Sequence, residues 1–360
     1  MMPLIKTAAG VALLLLAVYL LFCAHLVNKF LRRKPHDPER FVRSLKGTPM
    51  ECYAEIILRD REWFAKQDRE DVFIESYDQL SLHGQYLTHK DPRGTLLLVH
   101  GFQSSGENDF SCVLQYYYEL GFNLLVIDQR GSLQSQGDYL TMGVRERWDV
   151  RSWCIWLLQR MGEQHRVVLD GISMGGATVL MAAGLDLPPN VRGIISDCPF
   201  TSPRDIFEHV MTSSIKLPTW LLWGADICCR IMAGFSIDGA RTTDALRQSN
   251  LPLLIAHGEA DDFVPCRMGV ESFNAAVTDD KQLITVPGAG HGMSYLVDRE
   301  RMQAALEAFL DRLCPKKGNS RFPRVISGYV GWCSHRQNGR MRPSSQTRGG
   351  FPWKKRPSAV

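Results

Sequence analysis

Three residues of this chain, Ser173, Asp261 and His291, have the types and the order that nucleophilic catalysis requires. A serine hydroxyl is a poor nucleophile near neutral pH; it needs a base within hydrogen-bond reach, and the base needs an acid to fix its tautomer. Ser173 lies in Gly171-Ile172-Ser173-Met174-Gly175, after the apolar run Val167-Val168-Leu169 and before the small-residue stretch Gly176 to Ala183, which reads as a helix. A serine at the bend between strand and helix has its hydroxyl lifted clear of the backbone and the following N–H groups aimed at whatever it attacks. Glycines on both sides suit a strained turn with neighbouring chain close by.

The acid and the base follow downstream, in His257-Gly258-Glu259-Ala260-Asp261-Asp262-Phe263-Val264-Pro265 and in Gly288-Ala289-Gly290-His291-Gly292. His291 follows a strand in a glycine-rich loop that lets an imidazole project freely, so it is taken as the base. His257 ends a strand and is read as fixing the acidic loop by hydrogen bonds. Asp261 is taken as the acid, with Asp262 and Glu259 as the alternatives, read as surface or rim charges. Attack on a carbonyl also creates an oxyanion, and losing one preorganised donor for it typically costs about 10²- to 10³-fold in rate. The N–H of Met174 is one candidate donor; the N–H of Phe102, in His100-Gly101-Phe102, is the other. Gly101 permits the close approach, and His100 is read as structural. Cys228-Cys229 stands without a Cys-x-x-Cys partner or a His-rich cluster, so no metal and no organic cofactor is expected.

Positioning these residues falls to a run of short apolar segments: Thr95 to Val99, Asn123 to Ile127, Val167 to Leu169, Gly193 to Ser196, Leu253 to Ala256 and Leu283 to Val286. Strands alternating with helical stretches imply right-handed βαβ units and a mostly parallel sheet covered on both faces, with ligands at the carboxyl ends of the strands. An antiparallel hairpin, Val72 to Tyr77 and Leu80 to Leu87 about Asp78-Gln79, precedes them, and Glu51 to Lys66 reads as an amphipathic helix leading in. Between Phe200 and Asn250 the alternation lapses, and Trp220, Leu221, Leu222, Trp223 and Ile227 suggest a helical cap over the nucleophile. Most of these pack the cap onto the core; others line an apolar substrate pocket or touch a bilayer.

Composition narrows the class. Of 360 residues, 45% are hydrophobic and 22% charged, which fits a globular protein with a sizeable core and excludes a fibrous or wholly disordered chain. The net charge of +4 conceals an asymmetry, because the stretch from Cys314 onward holds 11 Lys and Arg and no Asp or Glu, leaving a net −7 on the rest. That aperiodic, Arg-, Gly-, Ser- and Pro-rich tail is expected to be disordered, and no nucleic-acid partner is expected of it. Ten cysteines without paired spacing read as small buried hydrophobes. Thr7 to Val27 is 21 residues without Asp, Glu, Lys or Arg, about 30 Å as a helix, which is long enough to cross a bilayer. It is read as a single-pass anchor. A cleaved signal peptide is the alternative, against which stand the length of the run and the bulky Leu21-Phe22-Cys23-Ala24-His25 where a small-residue cleavage site would fall. Lys29, Arg32, Arg33 and Lys34 outnumber Lys6 across the span, which favours a cytoplasmic catalytic domain.

With these pieces in place the chain resembles the α/β-hydrolase superfamily from Val72 to Leu313, about two thirds of its length. Within it the chain is similar to bacterial membrane-anchored serine hydrolases grouped with serine aminopeptidases and prolyl-oligopeptidase-like enzymes. His100-Gly101-Phe102, Asp128-Gln129-Arg130-Gly131, Gly171 to Gly176, His257 to Asp261 with Val264-Pro265, and Gly290-His291-Gly292 carry the likeness. The resemblance implies an α/β-hydrolase fold with a cap, Ser173 as nucleophile, Asp261 as acid, His291 as base, and Phe102 and Met174 as oxyanion donors. Asp128 and Arg130 are expected to hold the loop beneath the site by an ion pair. No propeller precedes the catalytic part, so the size gate of prolyl oligopeptidases is absent.

The expected organisation is an anchor with its basic flank over 1–34, a lead-in over 35–71, a catalytic domain over 72–313 with its cap at about 200–250, and the tail over 314–360. The expected activity is hydrolysis of an ester, thioester or amide through an acyl-enzyme, on a small ester, acyl or peptide substrate, with esters preferred because the cap is apolar and the anchor places it at a membrane. The alternatives are an aminopeptidase-like serine peptidase, an acyltransferase, and an inactive membrane-tethered binding protein.

Overall fold

Apolar residues alternate along the central strands in such a way that each strand covers two cores at once. Leu96, Leu98, Leu124, Val126 and Val168 enter one buried cluster, and Leu97, Val99, Leu125, Ile127, Val167 and Leu169 enter another on the opposite face. A period of two on a fully buried strand is what a sheet sandwiched between helices demands. The computed structural model describes residues 2–35 and 37–316, so the tail expected from Cys314 lies, from 317 onward, outside the described residues.

The eight strands are β1 (Glu70–Glu75), β2 (Ser81–Leu87), β3 (Thr95–Val99), β4 (Asn123–Ile127), β5 (Val167–Ile172), β6 (Val191–Asp197), β7 (Leu253–Gly258) and β8 (Lys281–Val286). They form one sheet in the order β1-β2-β4-β3-β5-β6-β7-β8. The β1–β2 hairpin is antiparallel, β2 runs antiparallel to β4, and every later pairing is parallel. Each strand expected from the sequence is present.

Thirteen α-helical segments occur among the described residues. Three precede the sheet: α1 (Met2–Leu31), α2 (Pro38–Leu45) and α3 (Ala54–Ala65). Between strands lie α4 (Gly106–Asp109), α5 (Leu114–Glu119), α6 (Glu146–Met161) and α7 (Met174–Ala182). Helices α8 (Pro203–Val210), α9 (Leu221–Met232) and α10 (Thr242–Leu246) lie between β6 and β7, followed by α11 (Cys266–Ala275), α12 (Ser294–Val297) and α13 (Arg299–Leu313). Helix α2 is an element that the sequence pattern did not lead us to expect. Pro38 begins that helix, with the Asp37 carboxylate accepting the Glu39 N–H, which is the favoured place for proline at a helix start. The segment read as one helix from Glu51 starts with a tight turn at Pro49–Tyr53 and becomes α-helical at Ala54.

A third apolar cluster joins α1 to the cap. Cys23, Val27 and Leu31 of α1 are buried with Leu140, Met142, Phe200, Leu221, Leu222 and Cys229. Polar bonds lock the end of α1 to the body: Leu140 N–H donates to Leu31 O at 2.9 Å, Arg33 N–H to Asp138 O at 2.7 Å, and Tyr139 Oη to Asn28 Oδ1 at 2.9 Å. The ion pair expected between Asp128 and Arg130 does not form. Arg130 is held by Asp149 at 2.6 Å and by Asp78 in the hairpin turn at 2.9 Å, whereas Asp128 accepts from His83 Nδ1 at 2.7 Å and from the Gln134 N–H at 3.1 Å. Two residues apart in the loop after β4, the two side chains find different partners, and sequence spacing alone does not reveal them.

Candidate active site

Ser173 sits between the end of β5 and the start of α7 with φ +57° and ψ −117°. Side chains rarely adopt such a conformation, and it persists only where surrounding contacts over-determine it. Those contacts are identifiable. A Cβ on Gly171 would fall 2.3 Å from Gly175 O, one on Gly175 1.9 Å from Val99 O, and one on Gly176 2.7 Å from Ser196 Oγ. The glycines therefore let β3, β5 and α7 converge on the bend, and Ser173 N–H donates to Asp197 O at 2.9 Å, fixing it against β6.

The structure brings Ser173, His291 and Asp261 together. His291 Nε2 is 2.9 Å from Ser173 Oγ, and His291 Nδ1 is 2.7 Å from Asp261 Oδ2. Asp261 Oδ1 accepts the N–H groups of Phe263 at 3.0 Å and Val264 at 2.8 Å. Burial alone would raise the Asp261 carboxyl, but bonding to His257, His291 and the Val264 N–H outweighs it and holds the group well below its ordinary range. An ionised Asp261 can only accept, so His291 Nδ1 carries the proton and Nε2 is left to accept from the serine hydroxyl. His291 Nδ1 takes neither alternative as its partner: Asp262 is exposed, and Glu259 accepts from Thr285 Oγ1 at 2.7 Å. His257 donates from Nε2 to Val264 O at 2.8 Å, which closes the Asp261 loop in the manner expected of it.

Met174 N–H opens α7, and Phe102 N–H follows β3; neither has an acceptor among the described residues. The Phe102 loop is held by Asp109, a residue the sequence reading missed. Its carboxylate accepts the Gly101 N–H and the Ser104 hydroxyl, both at 2.5 Å, while burial raises its pKa. A Cβ on Gly101 would press on Asp109 Oδ2 at 3.1 Å and on Ser173 Cβ at 3.2 Å, so glycine permits this approach. Nothing in Glu107-Asn108-Asp109 marks the last residue out; only the fold of α4 beneath the loop does. His100 is structural, its Nε2 accepting the Gln129 N–H at 3.1 Å.

Two cavities flank Ser173. One, of about 270 Å³, is lined by α1, α8, α9 and the segments around them, and besides Ser173 it presents no hydroxyl, amide or charged side chain. The other, of about 260 Å³, reaches from Ser173 and His291 past Ser104, Asn108 and Asp109 to Phe41 and Ile57 of the lead-in. Among the described residues one set of possible metal ligands gathers here: Cys198, Asp261 and His291, with ligand atoms within 4.8 Å of one another. Burial pushes the Cys198 thiol well above its ordinary value, and Asp261 and His291 already bond each other.

Comparison with known proteins agrees with this architecture. A family model described as the alpha/beta hydrolase fold matches residues 94–222. The matched stretch and the strand order agree on an α/β-hydrolase fold for the body of the chain. Among its relatives are YqkD of Bacillus subtilis, itself uncharacterized and 24% identical over 70% of this chain and 82% of its own length, and protein bem46 of Schizosaccharomyces pombe, 25% identical over 64% and 70%. Similar solved structures include the Pyrococcus furiosus esterase Pf2001, with a TM-score of 0.58 and 21% identity over 71% of this chain and 94% of that one. Another is Est1E of Butyrivibrio proteoclasticus with ferulic acid bound, with a TM-score of 0.54 and 20% identity over 68% and 100%.

Proposed function

We propose that this protein is a membrane-held serine hydrolase that cleaves esters through an acyl-enzyme, with residues 72–313 as the catalytic domain. The observation that carries this reading is Ser173 Oγ, 2.9 Å from His291 Nε2, at the base of a wholly apolar cavity. Ser173 Oγ attacks the substrate carbonyl carbon while its proton passes to His291 Nε2. The carbonyl π pair moves onto oxygen, where the N–H groups of Phe102 and Met174 receive it. Collapse expels the alcohol, which takes the proton from His291 and leaves the acyl group on Ser173. Water then attacks, giving its proton to Nε2, and the acid departs as Ser173 regains it. Asp261 holds the imidazolium throughout and stays ionised.

The apolar cavity suits the acyl part, and the mixed cavity beside Asn108 and Ser104 suits the leaving group. A peptide amino terminus is best held by a free carboxylate; no acidic side chain lines the apolar cavity among the described residues, and Asp109 in the mixed cavity is engaged by Gly101 and Ser104. Pro3–Leu31 is long and apolar enough to cross a membrane, which supports a single-pass anchor, and the basic cluster from Lys29 to Lys34 favours the cytoplasmic side for the catalytic domain. Labelling of the full chain in detergent by a fluorophosphonate, wild type beside Ser173→Ala, tests the nucleophile. Labelling and p-nitrophenyl ester turnover lost together in the variant is the expected result; equal labelling of both proteins refutes it. Faster turnover of aminoacyl p-nitroanilides than of esters would favour the peptidase.

A further inference from the structure

The helix long enough to cross a bilayer is also part of the substrate cavity. Leu26, Val27, Phe30 and Leu31 of α1 line the apolar cavity that ends at Ser173. Its two stretches differ in surroundings. From Pro3 to Val18 the helix stands exposed, and beyond Lys6 its outer face stays apolar through Leu21 and Phe22, 70% and 43% exposed, before His25 and Lys29 appear. Counted from Thr7, 20 residues, about 30 Å at 1.5 Å per residue and the thickness of a hydrocarbon core, end at Leu26. The boundary of that core therefore falls within the stretch from Tyr19 to Leu31 where α1 meets the cap.

The cap carries a matching surface at that level. Tyr19 packs between Trp220 and Trp223, with ring centroids 5.4 and 6.2 Å away, and its hydroxyl accepts the Gly224 N–H at 2.8 Å in the first turn of α9. A Cβ at Gly224 would lie 2.5 Å from that hydroxyl, so the glycine sets how closely the two helices approach. Tyr and Trp concentrate where hydrocarbon gives way to headgroups. Cys23 bonds the first residue of α9 and Leu20 its eighth, so α9 advances toward the free part of α1. On its outer side Trp223, Ile227 and Ile231 follow one another at four-residue spacing, with Trp223 61% and Ile231 79% exposed. The inner side of the same helix lines the cavity through Leu221, Leu222, Ala225 and Cys229. A helix apolar on both sides buries both: one against the core, the other against something outside the fold.

We propose that the bilayer is what covers that outer face, and that the cavity walled by α1 takes the acyl chain of a bilayer-resident lipid ester. This rests on the serine-hydrolase reading and narrows its substrate. The C-terminal part of α1 is then a working part of the pocket: removing the helix through Leu31 would strip four residues from the cavity wall.

The test uses the full chain in phosphatidylcholine vesicles and reads the ratio of turnover of vesicle-borne p-nitrophenyl palmitate to that of soluble p-nitrophenyl acetate. Val27→Trp, which fills the cavity from the anchor, and Ile231→Glu, which charges the outer face of the cap, are each expected to lower this ratio by about tenfold or more, the size of losing one large buried apolar contact. Ile231 touches neither cavity nor triad, so its variant carries the test even if Val27→Trp misfolds. An unchanged ratio in Ile231→Glu overturns the bilayer docking, as does a detergent-stable dimer of wild type that Ile231→Glu dissolves, since a second copy would then cover the face. An unchanged ratio in folded Val27→Trp overturns the role of the anchor as a wall. Acetate turnover that survives Ser173→Ala would instead refute the parent reading.

Discussion

Asp261→Asn is a nearly isosteric change whose effect follows from three hydrogen bonds. In the native site one carboxylate oxygen accepts two backbone N–H groups, of Phe263 and Val264, and the other accepts His291 Nδ1–H. An asparagine has one acceptor and one donor end. Two fixed backbone donors claim the carbonyl oxygen, because placing the amide NH₂ there would oppose donor to donor in a buried site. The NH₂ must then face His291 Nδ1, which can only accept from it, so the proton moves to Nε2. Nε2–H cannot take a proton from Ser173 Oγ. The wrong tautomer is expected to lower kcat by about 10⁴-fold, roughly 5 kcal/mol of transition-state stabilisation. Because both backbone bonds survive, the Tm should stay close to wild type. The assay is p-nitrophenyl ester turnover in detergent micelles, with Ser173→Ala as the floor and fluorophosphonate labelling rate as a second readout. A kcat within about tenfold of wild type would refute this account of Asp261, because that residue would then not be setting the imidazole tautomer.

Other expectations concern the frame around the site. Arg130 is buried between Asp149 and Asp78, so Arg130→Met should destabilise by about 3–5 kcal/mol by stranding the buried Asp149 charge. Arg130→Met with Asp149→Leu should recover much of that loss in urea melts, and no recovery would mean that the ion pair is not what the fold depends on. Asp170, buried in β5 and accepting from Tyr117 Oη at 2.7 Å, has its pKa raised by burial to about 7. Between the unfolded value of about 4 and this value, the folded protein binds a proton that the unfolded chain does not, so this group's contribution is fully present below about pH 4 and is lost as pH rises toward 7, by about 4 kcal/mol. The stability difference between Asp170→Asn and wild type should therefore change across that window and level off above it; a difference independent of pH would show that Asp170 is ionised throughout.

The local chemistry of the fold was legible because it is written in short-range pattern. Alternating apolar strands, the glycines around Ser173 and the loop holding His291 each act within a few residues, and the elements follow from them. The order serine, aspartate, histidine could be read from the chain because the three follow strands β5, β7 and β8 of a parallel sheet, at whose carboxyl ends side chains converge whatever the intervening sequence. That only one of the neighbours Asp261 and Asp262 could face His291 needed no distant information, since adjacent loop residues point apart; the tertiary contact to His291 decides which.

What the sequence left open depends on distant pairs. Asp128 and Arg130 stand two residues apart and were expected to meet, yet Asp78 and Asp149, 52 and 19 residues from Arg130, claim its guanidinium. Asp109 supports the Phe102 loop only because α4 folds back beneath it. The packing of α1 was illegible for a different reason: in a helix apolar on nearly every side, no periodicity separates its exposed face from Cys23, Val27 and Leu31, which meet the cap. Linear pattern records whether a residue avoids water. Only the assembled fold decides whether it does so against a membrane, a core or a substrate.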